Sequence, residues 1–199
     1  MKKMLTGVCL LLGSMGVNAG GVDLALSNET ANIAFVLNPH QLYDGGGAEL
    51  AIGAFMSEQG DKVAHATLMA RGFRMSEGTQ YSVGAGMKAV YGDVSIPERL
   101  SLTKDEESVG AVALGFQVGM LLVSSRHNPI ELAAEGFIAP SITSFSDAER
   151  YSELGARLQI EVVPQARAYI GYRAMRFNTN DYKDVRIDRS VHLGIKISY

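Results

Sequence analysis

The chain has 199 residues, 47% hydrophobic and 20% charged, with 22 Gly, one Cys and no Trp. That balance is too apolar for a disordered chain and too polar for a bundle of membrane helices. The 21 acidic residues against 18 basic ones exclude a nucleic-acid partner, whose binding rests on Lys and Arg neutralising phosphates.

The N-terminus opens with the basic Met1-Lys2-Lys3, then an apolar run from Met4 to Met15, then Val17-Asn18-Ala19. This is the pattern of a secretory signal peptide over 1–19, with cleavage expected after Ala19. The run is too short for a transmembrane helix, which needs about 20 apolar residues. Cys9 lies inside the run with no lipobox around it. The domain expected at 20–199 therefore has no thiol, which excludes disulfides, thiolate metal sites and Cys nucleophiles. Losing Lys2 and Lys3 makes it more acidic.

From Gly21 onward the apolar residues recur with period two, and no helical stripe is sustained. Strands are expected, in order, over about 22–27, 31–37, 47–57, 62–73, 79–91, 108–120, 129–139, 150–162, 166–177 and 190–199. In 79–91, Tyr81, Val83, Ala85, Met87, Ala89 and Tyr91 share one face, opposite Gln80, Ser82, Gly84, Gly86 and Lys88. In the last strand Val191, Leu193, Ile195, Ile197 and Tyr199 oppose Ser190, His192, Gly194, Lys196 and Ser198. Long polar connections at 92–107, 140–149 and 178–188 alternate with short ones at 74–78, 124–128 and 163–165. Glu58 to Asp61 breaks this order, being short where a long loop is due.

The polar parity carries Asp23, Glu49, His65, Arg71, Lys88, Glu131, Glu135, Arg157, Glu161, Arg167, Arg173, His192 and Lys196, interleaved with glycines. The apolar parity is almost free of charge. A lipid-facing wall needs that freedom, since Lys or Arg at the bilayer midplane costs about 2–4 kcal/mol. The expected fold is all-β: a transmembrane antiparallel up-and-down β-barrel, ten strands preferred, with eight strands plus an N-terminal hairpin as the alternative. A soluble periplasmic β-sandwich is the rival architecture.

The blocks Glu131-Leu-Ala-Ala-Glu-Gly-Phe-Ile-Ala-Pro140, Tyr151-Ser-Glu-Leu-Gly-Ala-Arg157, Val163-Pro164-Gln165-Ala-Arg167 and Ile170-Gly171-Tyr172-Arg173 resemble the YfaZ-like family of bacterial outer-membrane proteins. Gly84-Ala-Gly86-Met-Lys88-Ala-Val-Tyr91 is similar to the same family. The resemblance covers most of 79–199, and it implies an outer-membrane barrel in the Gram-negative cell envelope without an established activity. His192, Gly194, Ile197 and Tyr199 resemble the C-terminal signal read by the outer-membrane assembly machinery, which more often ends in Phe.

The candidate site is a lumen-lining charge network of Glu49, Arg71, Lys88, Glu131, Glu135, Arg157, Glu161, Arg167, Arg173 and Lys196. Its signs nearly balance, so pairing is expected, because a charge beside low-dielectric walls is costly unless paired. The densest pairing is expected among Arg157, Glu161, Arg167 and Lys196, on the last three strands. Tyr81, Tyr199, Tyr91 and Phe177 are expected in aromatic girdles at the two interfaces. His40, His65, His127 and His192 are scattered, and Ser190 with His192 is a pair that alternation produces by itself. Asp181 and Asp184 read as solvated loop carboxylates, and Asp44 before Gly45-Gly46-Gly47 as a turn. No catalytic residue, metal or cofactor is expected. Expected partners are outer-membrane lipids and the assembly machinery, around a monomer. Two functional expectations remain open: a structural or surface-exposed barrel with a charge-paired lumen, or a narrow channel for small hydrophilic solutes.

Overall fold

The computed structural model describes residues 20–37, 46–76, 79–96, 106–123, 129–163 and 165–199. The expected signal peptide, His40, Asp44, Gly45 and His127 lie outside them. The strands are β1 (Gly20–Leu26), β2 (Thr30–Leu37), β3 (Gly46–Ser57), β4 (Lys62–Ser76), β5 (Thr79–Ser95), β6 (Glu106–Val123), β7 (Ile130–Ala139), β8 (Ser144–Ser146), β9 (Ala148–Val163), β10 (Ala166–Thr179) and β11 (Val185–Ser198). Apart from the short β8, each pairs antiparallel with its neighbours in sequence, and β1 pairs with β11 to close the ring. The result is a ten-stranded up-and-down barrel. Since β1 sits in the wall between β2 and β11, the alternative of eight strands plus a hairpin does not hold.

The register sets the strand tilt. Directly opposed residues run from Gly20 through Leu37, Leu50, Leu68, Met87, Leu114, Ile138, Ser152 and Arg176 to Arg186. That path leaves one end of the barrel at β1 and returns near the other end on β11, so the strands are strongly inclined to the axis. Gly20, at the start of β1, and Tyr199 meet at what we term the turn end, hydrogen-bonded in both directions at 3.0 and 2.8 Å. The opposite rim is the loop end.

Alternation then places a continuous apolar band outside, with Ile52, Leu68, Met87, Leu114, Phe116, Ile138, Leu158, Ile170 and Leu193 all exposed. Tyr81 and Tyr199 flank the band at the turn end, and Tyr91 stacks on Phe145 of β8 at the loop end, centroids 6.4 Å apart. Phe177 does not join them. It points inward and is fully buried, a correction to its expected girdle position: from Arg173 the inward parity runs through Met175 to Phe177.

Two connections depart from the expected rhythm. β11 begins at Val185 rather than Ser190, because the register shift opposite Met175 and Arg176 turns both Ile187 and Asp188 inward and so hides the strand from a period-two reading. The short Glu58–Asp61 turn is fixed by Asp61, which is 1% exposed. Its carboxylate accepts from Ser57 Oγ at 2.7 Å and from the Ser95 N–H at 2.8 Å, tying this turn to the end of β5. Burial, outweighing those two hydrogen bonds, pushes the Asp61 carboxyl above the usual range. A raised native pKa means the folded state binds the proton more readily, so this site's contribution is full at low pH and lost as pH rises through the native value. Asp61→Asn is expected to hold stability at pH 7 and remove that pH dependence. Asp61→Ala, which strands the Ser95 N–H, is expected to cost about 1–3 kcal/mol in urea unfolding from micelles. Equal losses in the two variants would contradict this reading.

Candidate functional site in the barrel lumen

The inward face is layered along the axis. Towards the loop end it is apolar: Phe55, Val63, Val90, Val94, Val109, Phe137, Tyr151, Phe177 and Val185 are each at most 2% exposed, with the Tyr151 and Phe177 rings 4.7 Å apart between centroids. Two ion pairs are buried within this packing. Lys88 Nζ lies 2.6 Å from Glu153 Oε2, which also accepts the Tyr151 hydroxyl, and 5.3 Å from the centre of the Phe137 ring. Arg173 Nε donates to Asp188 at 2.6 Å while its guanidinium sits 4.7 Å from the centre of the Phe55 ring, and Ser190 Oγ donates to the other Asp188 oxygen at 2.6 Å.

Further towards the turn end the interior becomes polar and wetter. Glu49 accepts from Arg71 at 3.0 Å and from Lys196 at 3.1 Å. Asp23 accepts the Tyr169 hydroxyl at 2.5 Å and lies 3.7 Å from Arg157. At the rim Arg167 faces Glu161 at 3.4 Å and Glu131 at 3.8 Å, and Gln159 donates to Glu131 at 2.6 Å. Glu135 lies against Gly155. Side-chain exposure follows this order: 9% and 3% for Lys88 and Glu153, 22% and 19% for Arg71 and Glu49, 46% and 29% for Arg167 and Glu131. A cavity of about 130 Å³ joins the two layers, lined by Asp23, Glu49, His65 and Arg157 on one side and reaching Lys88, Glu153, Phe137 and Tyr151 on the other; its polar groups can hold ordered water.

The expectation of densest pairing among the last three strands is corrected. Of those four residues only Arg167 and Glu161 pair with each other; Lys196 reaches Glu49 on β3, and Arg157 reaches Asp23 on β1. Each partner lies three strands away around the wall, a gap that long inward side chains span across the curved interior of a narrow barrel. Sequence reading also passed over Glu153, Tyr151, Tyr169 and Asp188. Glu153 shares inward parity with Arg157 and could have been found; Asp188 was hidden by the register shift. His65 is hydrogen-bonded to Asn32 at 2.9 Å, and His192 packs edge-on to Tyr169.

The inward glycines have a different meaning from open pore space. Tyr169 is directly opposite Gly194, His192 opposite Gly171, His65 opposite Gly53 and Phe137 opposite Gly115. In each pair the large side chain lies over the glycine, and a Cβ there would overlap it. The sheet thus stores its bulky inward groups flat against the wall. Gly194→Ala is expected to displace the Tyr169 ring, remove its hydroxyl from Asp23 and destabilise the barrel by about 1–3 kcal/mol. Adding Tyr169→Ala is expected to recover part of that loss, a coupling that a double-mutant unfolding cycle measures. If Gly194 mattered only as part of an assembly signal, the second substitution would recover nothing.

A closed antiparallel barrel with an apolar exterior and charges inside defines the chain as a transmembrane β-barrel of the outer-membrane type. The family described as YfaZ precursor matches residues 1–199, and the chain belongs to it. Among solved structures the chain is similar to the NanC porin, at 10% identity, covering 90% of this chain and 98% of that one with a TM-score of 0.41. It is also similar to LpxR from Salmonella typhimurium, at 7% identity, 92% and 99% coverage and a TM-score of 0.43. The beta domain of the Bordetella autotransporter BrkA matches at 12% identity, 91% and 97% coverage and a TM-score of 0.45. The comparison with curated proteins finds no match.

Proposed function

We propose that this chain is a monomeric outer-membrane barrel, exported by a cleaved signal peptide, with its turn end in the periplasm and its loop end at the cell surface. In this reading it serves as a structural or surface-exposed element of the envelope and not as an open pore. The observation that carries it is the exposure gradient of the lumen: a buried, largely apolar plug with buried ion pairs at the loop end, and a more exposed, charge-paired vestibule at the turn end. The apolar belt would be solvated by lipid, and the terminal strand with Ile197 and Tyr199 would be handed to the assembly machinery.

Single cysteines test the orientation, because the domain itself has none. Ile142, 89% exposed in the 140–147 loop, changed to Cys is expected to react with a membrane-impermeant maleimide on intact cells. Gln165→Cys, in the turn between β9 and β10, is expected to react only after the outer membrane is permeabilised. The reverse pattern would overturn the orientation. The polar vestibule favours a second reading, a narrow channel for small hydrophilic solutes, provided the plug opens; bilayer conductance decides between the two.

A further inference from the structure

At the loop end, just above the apolar band, the outer face of three successive strands carries Arg150 on β9, Arg176 on β10 and Arg186 and Arg189 on β11, all exposed. Arg176 and Arg186 are directly opposed across the ladder, where two like charges repel unless an anion intervenes. Asp184 supplies one, 3.6 Å from Arg176 and 3.2 Å from Arg186. No described carboxylate pairs with Arg150 or Arg189, and Arg189 Nε instead donates to the hydroxyl of Tyr172 at 3.3 Å, within the aromatic edge of the band.

Beside these arginines the wall is notched. β1 stops at Leu26 opposite Leu193, so no described strand covers the Val185 to His192 stretch of β11 on that side. A recess of about 430 Å³ lies there, lined by Glu29, Gln59, Arg186 and Arg189 among others. A cluster of planar guanidiniums matches phosphate oxygens in charge and geometry, and a polar recess with an uncovered strand edge offers donors and acceptors for hydroxyl groups.

We infer that this rim is a docking site for the phosphorylated sugar headgroup of an outer-leaflet glycolipid, whose acyl chains would lie along the band formed by Leu154, Ile170, Val191 and Leu193. The inference rests on the proposed orientation, which sets this rim at the outer leaflet. The test uses purified barrel in micelles with bisphosphorylated lipid A, the same lipid dephosphorylated, and inorganic phosphate, with binding read by native mass spectrometry. Wild type is expected to retain the bisphosphorylated lipid selectively. The fourfold substitution R150Q/R176Q/R186Q/R189Q is expected to weaken that binding at least about tenfold. Arg186→Gln alone gives the same direction if the fourfold variant does not fold. Equal binding by wild type and variants, or equal retention of the dephosphorylated lipid, would overturn the site. So would displacement of the lipid by millimolar inorganic phosphate, which would make the rim a free-phosphate site. If the lipid binds selectively in micelles while the Ile142→Cys labelling pattern is reversed, the rim stands and the orientation falls.

Discussion

Changing Lys88 to Met is expected to lower the unfolding free energy by about 3–5 kcal/mol, because it leaves the buried Glu153 carboxylate without its ion-pair partner. Glu153 is 3% exposed, and the other group that reaches it is the Tyr151 hydroxyl, which can share a charge but cannot neutralise it. Glu153→Met is expected to cost a similar amount by stranding the ammonium against Phe137. The double variant K88M/E153M should regain most of the loss, since an apolar pair of similar volume suits the surrounding Val90, Phe137 and Tyr151. Urea titration of micelle-bound protein, followed by the gel shift between folded and unfolded barrel, measures all three. Singles within about 1 kcal/mol of wild type would show that the pair is screened as a surface pair is, contrary to its burial in the lumen.

The second large effect belongs to Phe137. It is 1% exposed, lies over Gly115 and covers Lys88, so it joins the plug to the buried ion pair. Phe137→Ala is expected to cost about 3–5 kcal/mol, the range for deleting a buried phenyl ring. Phe137→Leu should cost much less, because it keeps most of the volume and all of the dryness. Alanine also removes the ring over Lys88, so this variant should admit more water to the Lys88–Glu153 pair and make its stability more sensitive to salt. Equal costs for the Ala and Leu variants would mean that the ring does not fill the lumen.

Alternation made the architecture legible before any coordinates. Val191 to Tyr199 and Tyr81 to Tyr91 each show one uncharged face, and a closed wall with lipid outside satisfies every strand of that kind at once. Strand ends were less legible. Alternation leaves Val185 in a loop, because the bulge near Met175 interrupts the period, and bulges are set by tertiary pairing. The interior was read by parity for its charges alone. Phe55, Val63, Val90, Phe137 and Phe177 share that parity, yet apolar residues on a polar face draw no attention when the pattern is scored by charge. Partner choice is not legible at all: Lys196 meets Glu49, and Lys88 meets Glu153, because the curvature of the wall lets inward side chains three strands apart meet. The glycines misled for a related reason. Their cross-strand partners, Tyr169, His65, His192 and Phe137, become visible only once the register is known.

Conductance across a planar lipid bilayer tests the closed lumen most directly. Purified wild-type barrel, shown by its gel shift to be folded and inserted, is expected to give no steady current steps, while Phe137→Ala gives at least intermittent ones. Steady, reproducible steps from the wild-type protein would contradict a plugged loop end and establish a channel in its place.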